Sequence, residues 1–253
     1  MQLIGMIHLL PLPGAPRFGG SIQEILDRAL HDAEILVHAG FDGMLIENYG
    51  DTPFHKSDVP PHTISGMTMI AGEIRRAWKG TLGIQVLRND ANAALAIVSA
   101  IRGDFIRVNV LNGAMLTDQG IIESDAAEVL RYRALIAPQA KIWADVQVKH
   151  AHPLVEIPLE DDVRDLVHRS LADAIIVSGK GTGFETSIED VRRTRSATTA
   201  PIIIGSGVSA NNIRTYLGIA DGVIVGTAIK KDRITTNPVD RDAASTLVGL
   251  VHK

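Results

Sequence analysis

Eight short apolar runs recur along the chain, each followed by a segment of helical character, and this alternation restricts the fold more than any other feature. The runs fall at residues 3–9, 42–47, 81–87, 105–110, 141–148, 174–178, 201–204 and 222–225. Helical patterns lie between them. One opens at Ser21 and reaches about His38, one covers 64–78, and one opens at Asp90 and reaches about Arg102. Others span Ser124 or Asp125 to Ala137, 159–171, 187–196, a short stretch from Ser209, and 240–251. A strand, a helix and another strand in regular succession imply parallel pairing through crossover helices. Eight such units close an α/β (β/α)8 TIM barrel of about 250 residues, and this chain has 253. No Pro-, Gly- or Ser-rich linker divides it, so residues 1–253 are expected to form a single domain. Four of the runs share one pattern: Asp42-Gly-Met-Leu-Ile, Asp104-Phe-Ile-Arg-Val, Asp173-Ala-Ile-Ile-Val and Asp221-Gly-Val-Ile-Val. They fall on strands two, four, six and eight, an echo that favours eightfold architecture over an open sheet.

Composition removes several chemistries. There is no cysteine, so disulfides, Cys-ligated zinc, iron–sulfur clusters and a thiol nucleophile are excluded. Lys and Arg number 25 against 29 Asp and Glu, and aromatic residues make up 4%. Neither favours nucleic acid as a partner. No apolar run approaches the roughly 20 residues of a membrane span, and the N-terminus lacks the charged region of a leader. A cytoplasmic location is expected. No Gly-x-Gly-x-x-Gly follows strand one, so no dinucleotide cofactor is expected. His150 and His152 are too sparse a pair to assign a metal, and Arg192, Arg193 and Arg195 read as a solvated helix face.

Alternation within the strands assigns faces. In strand five, Ile142, Ala144, Val146 and Val148 would meet the helix layer, leaving Trp143, Asp145, Gln147 and Lys149 inside the barrel. Strand four would direct Ile106 and Val108 outward and Arg107 and Asn109 inward. His8, Gln85, Ser178 and Lys180 are expected inside as well. Strand two ends in Glu47 and Asn48, with its face ambiguous because Leu45 and Ile46 are both apolar. Barrel interiors are ordinarily filled by branched apolar residues, and unpaired buried charge is costly. Either these groups satisfy one another, as Asp145 with Lys149 or Glu47 with Arg107, or they form an active site at the C-terminal strand ends. The clustering favours the site.

Glycine loops follow strands seven and eight: Gly205-Ser206-Gly207 and Gly226-Thr227. Glycine lets backbone N–H groups approach an anion, and the loops after these two strands often bind phosphate in such barrels. Gly179-Lys180-Gly181-Thr182-Gly183 adds a third flexible loop on the same rim. This last third of the chain resembles the phosphate-binding ends of the ribulose-phosphate-binding barrels, including tryptophan synthase alpha chains and phosphoribosylanthranilate isomerase.

Through nearly its whole length the sequence resembles the BtpA/SgcQ family. The resemblance is carried by Gly5-Met-Ile-His-Leu-Leu-Pro-Leu-Pro-Gly14, Asp42-Gly-Met-Leu-Ile-Glu-Asn48 with Asp51, and Arg107-Val-Asn109. Trp143-Ala-Asp-Val-Gln-Val-Lys-His150 and Ile176-Val-Ser-Gly-Lys-Gly-Thr-Gly183 complete it. The resemblance implies a TIM barrel and leaves the activity open. The family name comes from photosystem I biogenesis in cyanobacteria, and nothing in these residues speaks of photosynthesis.

Three functions compete. The first is an isomerase-type enzyme acting on a small phosphorylated, sugar-like metabolite. Glu47 and Asp145 would serve as acid and base. His8, Asn48, Gln85, Arg107, Asn109, Gln147 and Ser178 would hold substrate, and Gly205, Ser206, Gly207, Gly226 and Thr227 its phosphate. The second is a lyase or aldolase that forms an imine on Lys149 or Lys180. The third is a non-enzymatic assembly factor, which has no need of a polar barrel interior. A homo-oligomer with helix faces at its interface is compatible with all three.

Overall fold

The computed structural model describes residues 1–179, 181 and 183–252. Its eight barrel strands are β1 (Gln2–His8), β2 (Gly43–Glu47), β3 (Thr81–Gln85) and β4 (Phe105–Val108), then β5 (Lys141–Val146), β6 (Ala174–Val177), β7 (Ile202–Ile204) and β8 (Gly222–Val225). They pair in parallel, each with the next, and β8 closes back on β1. Around them pack α1 (Ile22–Ala39), α2 (Pro61–Ala77), α3 (Ala91–Ile101), α4 (Ala126–Ile136), α5 (Leu159–His168), α6 (Ile188–Ala197) and α7 (Arg241–Val251). Several helices start where a short polar side chain accepts an otherwise unpaired amide. Ser21 takes the Glu24 amide at 3.2 Å, and Asp90 takes that of Ala93 at 2.8 Å.

The helix expected from Ser209 is a single 3-10 turn at Ile213–Tyr216. The Asn212 side chain accepts the Ser209 amide at 2.8 Å and donates to the Gly207 carbonyl at 2.8 Å. These local bonds compete with helical ones and hold a tight turn instead.

The barrel interior is filled at its lower end by Ile4, Met6, Leu45, Phe105, Trp143, Ala174, Ile176, Ile203 and Ile224. Phe105 and Trp143 stack with ring centroids 3.7 Å apart. Gly83 makes room for them, since a Cβ there would lie 2.2 Å from the Phe105 ring. The opposite strand faces, with Ile7, Ile46, Ile84, Ile106, Ala144 and Ile175, join the layer under the helices. Strand two is thereby resolved: Leu45 points in and Ile46 out.

The four-aspartate echo has a physical cause. Asp42, Asp104, Asp173 and Asp221 each stand just before an even-numbered strand. Their carboxylates accept the amides of Leu3 (2.7 Å), Leu82 (2.8 Å), Ile142 (2.9 Å) and Ile202 (2.8 Å), near the start of the preceding odd strand. Each aspartate's own amide donates to the carbonyl of that same residue. A nitrogen-bearing side chain completes each clasp: the His252 ring on Asp42 at 2.9 Å, and the guanidinium groups of Arg75 on Asp104 at 3.2 Å, Arg133 on Asp173 at 2.7 Å, and Arg195 on Asp221. Charge-assisted bonds therefore tie the strands in pairs at the N-terminal face and leave the C-terminal face to the loops.

One element had no counterpart in the sequence reading. Three short strands, Ala114–Thr117, Gly120–Glu123 and Ala151–Pro153, form a small antiparallel sheet over the C-terminal mouth. Val110, Met115, Ile122 and Val148 form its own apolar cluster. Val148 therefore packs under this sheet rather than against the helix layer. No described helix is long and apolar enough to cross a membrane.

Candidate active site

The C-terminal mouth opens into a cavity of about 1060 Å³. His8, Glu47, Gln85 and Arg107 line it from the strands, Asn109 and Lys149 from just beyond the ends of β4 and β5, and Gly205, Ser206, Gly207, Gly226 and Thr227 from the loops after β7 and β8. Asn48, Asp145, Gln147 and Ser178, also expected at the site, do not line it. Lys180 and Thr182 lie outside the described residues.

Strand register sets the reactive edge. His8 pairs with Glu47 and Glu47 with Gln85 across β1, β2 and β3, so three inward side chains stand abreast. His8 Nε2 lies 3.6 Å from Glu47 Oε2, beyond a direct hydrogen bond. Burial raises the Glu47 pKa, an effect opposed by the positive charges of Lys149, Arg107 and Arg88. Burial, with Lys230 and Lys149 nearby, holds the His8 pKa well below its ordinary value. The imidazole is therefore neutral at pH 7, and its Nδ1 is buried without a partner among the described residues. Burial lowers Lys149 to about 8, with Arg107 adding to the effect and Glu47 opposing it.

Beneath this edge lies a closed polar network. Asp145 accepts from Arg107 Nε at 2.9 Å, Arg107 Nη2 at 2.8 Å, Asn109 Nδ2 at 3.0 Å and Ser178 Oγ at 3.1 Å. Gln85 Nε2 donates to Asn109 Oδ1 at 3.1 Å, while Gln85 Oε1 is buried with no partner among the described residues. The ion pair is thus Arg107 with Asp145, not Asp145 with Lys149 or Glu47 with Arg107. With both oxygens occupied, the Asp145 carboxylate is placed to hold Arg107 rather than to exchange protons with a ligand.

Two further expectations change. Asn48 turns away from the cavity: its Oδ1 accepts the Leu87 amide at 2.7 Å and its Nδ2 donates to Asp51 at 3.0 Å. Asp51 in turn accepts the Leu12 amide at 2.8 Å, so this motif stitches together the loops after β1, β2 and β3. Gln147 is exposed, with φ of 45°, and donates to the Ile157 carbonyl at 3.2 Å. β5 ends at Val146, so strict alternation stops there.

The glycine loops divide their labour. The Gly205 amide donates to the Val177 carbonyl at 2.8 Å, and the Ser206 hydroxyl accepts the Gly179 amide at 2.9 Å. Both are committed to joining β6 and β7. Gly207, with φ of 69°, runs so close to the loop after β6 that a Cβ would lie 2.0 Å from the Phe184 carbonyl oxygen.

Sequence reasoning left Tyr49, Arg88, His150, His152 and Arg233 off the candidate list, yet all line the cavity. Arg88 also donates from Nη2 to the Lys149 carbonyl at 2.7 Å, fixing the segment that carries the lysine. Tyr49, whose ring centroid is 4.9 Å from that of His8, follows directly on Glu47-Asn48 and was accessible to reasoning from proximity. Arg233 sits in a stretch without periodicity and gave no signal.

Comparison with known proteins adds the following. A family model described as the BtpA family matches residues 1–253. A protein of Methanocaldococcus jannaschii is 45% identical over 251 residues, covering 99% of this chain and 95% of the relative. The photosystem I biogenesis protein BtpA of Synechocystis is 43% identical over 247 residues, covering 97% and 86%. Among solved structures, 3-hexulose-6-phosphate synthase from Salmonella typhimurium superposes with a TM-score of 0.60 at 16% identity, covering 99% of this chain and 98% of the other. Phosphoribosyl anthranilate isomerase from Thermus thermophilus gives 0.59 at 10% identity, covering 98% and 97%. Thiamine phosphate pyrophosphorylase from Pyrococcus furiosus gives 0.60 at 13% identity, covering 99% and 95%. These likenesses are of fold.

Proposed function

The chain belongs to the BtpA family, and from the chemistry of its barrel mouth we propose that it is an enzyme that transfers a proton on a small phosphorylated, sugar-like metabolite, in the manner of an isomerase. The observation that carries this is Glu47: a buried carboxyl with raised pKa, abreast of a neutral His8, in a cavity lined by Arg88, Arg107 and Lys149. A carboxyl whose protonated form is favoured by burial, with cations close enough to support the ionised form, is suited to both halves of acid–base exchange. Glu47 is the acid–base group. Arg107 and Asn109, held by Asp145, with the open acceptor of Gln85, orient substrate oxygens. Gly207, Gly226 and Thr227, with Arg233 on the same cavity wall, receive the phosphate, while Gly205 and Ser206 shape the floor and Ser178 supports Asp145 from beneath. The names of the three barrels of like fold, each a phosphate-bearing compound's enzyme, support the substrate class by analogy.

Assembly work of the kind named for the Synechocystis relative would not call for this buried acid–base edge. The test is hydrogen–deuterium exchange, followed by NMR, at carbon beside the carbonyl in a panel of ketose and aldose phosphates. Exchange that disappears in Glu47→Gln, while phosphate still raises the melting temperature, is the expected result. Absence of exchange across the panel, with no stabilisation by phosphate, would overturn the reading.

A further inference from the structure

Among the described lysines, Lys149 alone lines the cavity. It makes no hydrogen bond or ion pair with a described residue, although Glu47, Asp145, Arg88 and Arg107 all act on its charge. Lys230, by contrast, is fully buried, locked to Asp32 at 2.9 Å and does not line the mouth. A lysine serving only as a counter-ion would sit against a carboxylate. This one has its backbone carbonyl anchored by Arg88, and its amine is paired with no carboxylate among the described residues. Arginines near an amine disfavour the ammonium form and leave the nitrogen lone pair available for attack on carbon.

We propose that Lys149 is a nucleophile that forms an imine with the carbonyl carbon of a phosphorylated aldehyde or ketone. The neutral amine attacks the carbonyl carbon, the C=O π pair moves onto oxygen, and one proton passes from the now cationic nitrogen to that oxygen to give a neutral carbinolamine. Glu47 donates its proton to that hydroxyl, which leaves as water while the nitrogen lone pair forms the C=N bond. The resulting iminium withdraws electrons from the neighbouring C–H bond. Glu47, now a carboxylate, accepts that proton, and the electron pair moves through carbon to nitrogen as an enamine. No oxidant or second substrate is needed. The inference rests on the proposed function and deepens it: the proton moved by Glu47 comes from a carbon activated by Lys149.

The experiment treats the full chain with glyceraldehyde 3-phosphate and then sodium borohydride, and maps the reduced adduct by peptide mass spectrometry. One adduct on the peptide carrying Lys149, suppressed by excess inorganic phosphate and lost in Lys149→Arg, is expected. Slower labelling in Glu47→Gln is expected as well. An adduct on Lys180, or label scattered over Lys56, Lys79, Lys141 and Lys231, would overturn the assignment. So would stabilisation by glyceraldehyde 3-phosphate in a melting assay without any adduct, which would leave the phosphate-site reading standing. Failure of phosphate and glyceraldehyde 3-phosphate alike to bind would remove both.

Discussion

Replacing Lys149 by methionine removes a charge from the cavity while keeping the length and apolar volume of the side chain. The folded protein holds the Lys149 ammonium at a pKa of about 8 against an ordinary value of 10.5. At 1.36 kcal/mol per pKa unit, that difference corresponds to about 3 kcal/mol of destabilisation, an upper bound on the cost of folding with this ammonium in place. The sign follows from proton counts. Between pH 8 and pH 10.5 the unfolded chain binds the lysine proton and the folded chain does not, so stability rises with pH across that window. Below pH 8 both forms are protonated and the cost is present in full. Lys149→Met is therefore more stable than the parent at pH 7, by up to about 3 kcal/mol, or about 6–12 °C in a chain of this size. The gap closes as pH approaches 10.5. Thermal melts of both proteins from pH 7 to pH 10.5 provide the assay. A variant no more stable at pH 7, or a gap that does not narrow with pH, would refute the claim that this ammonium is desolvated and has no ion-pair partner among the described residues.

Further outcomes follow from other contacts. Arg107→Met strands the Asp145 carboxylate inside the barrel and costs about 3–5 kcal/mol in urea denaturation, while the double variant with Asp145→Leu recovers most of the loss; a single variant as stable as the parent would contradict the pairing. Asp104→Ala removes one of the four basal clasps and costs about 1.5–3 kcal/mol, yet leaves phosphate-induced stabilisation unchanged, since Asp104 lies at the opposite end of the barrel from the cavity. The His8 ring, followed by NMR, shows no titration step at its ordinary 6.5. Below that pH the unfolded chain takes up a proton that folded His8 refuses, so acid destabilises the protein through this group, and His8→Asn loses that part of its acid sensitivity.

The barrel was legible because its determinants are local and periodic. Short apolar runs located all eight strands, and Ser21 and Asp90 each cap a helix through the side chain, as their positions suggested; Ser187 and Asp240 do the same at the starts of α6 and α7. The aspartate echo was visible too, although its meaning was not. A carboxylate reaching an amide 39 residues away, as Asp42 reaches Leu3, is a tertiary fact. In the site, inward positions on the strands proper came out as alternation assigns them, as with Arg107, Asp145 and Trp143. Beyond the strand ends the rule held only in part, for Asn109 and Lys149 but not for Gln147 and Val148, because alternation lapses with the ladder. Gln147 turned outward and Val148 joined the small sheet for that reason. Burial alone also fails to separate a cavity group from a supporting one. Asp145 and Asn48 are as buried as Glu47, and only their bonds distinguish them. The antiparallel roof escaped notice because its strands are three or four residues long and one of its two pairings, Ala114–Thr117 with Ala151–Pro153, spans about thirty residues of intervening chain.

The cavity as an anion-holding acid–base site is tested most directly by a crystal structure of the protein soaked with glyceraldehyde 3-phosphate. The phosphate is expected between the backbone of Gly207 and Thr227, with Arg233 beside it and the carbonyl end directed toward Glu47 and Lys149. A cavity that stays free of the compound at saturating concentration, or a phosphate bound only in the smaller recess beside Lys56 and Asn92, would contradict it.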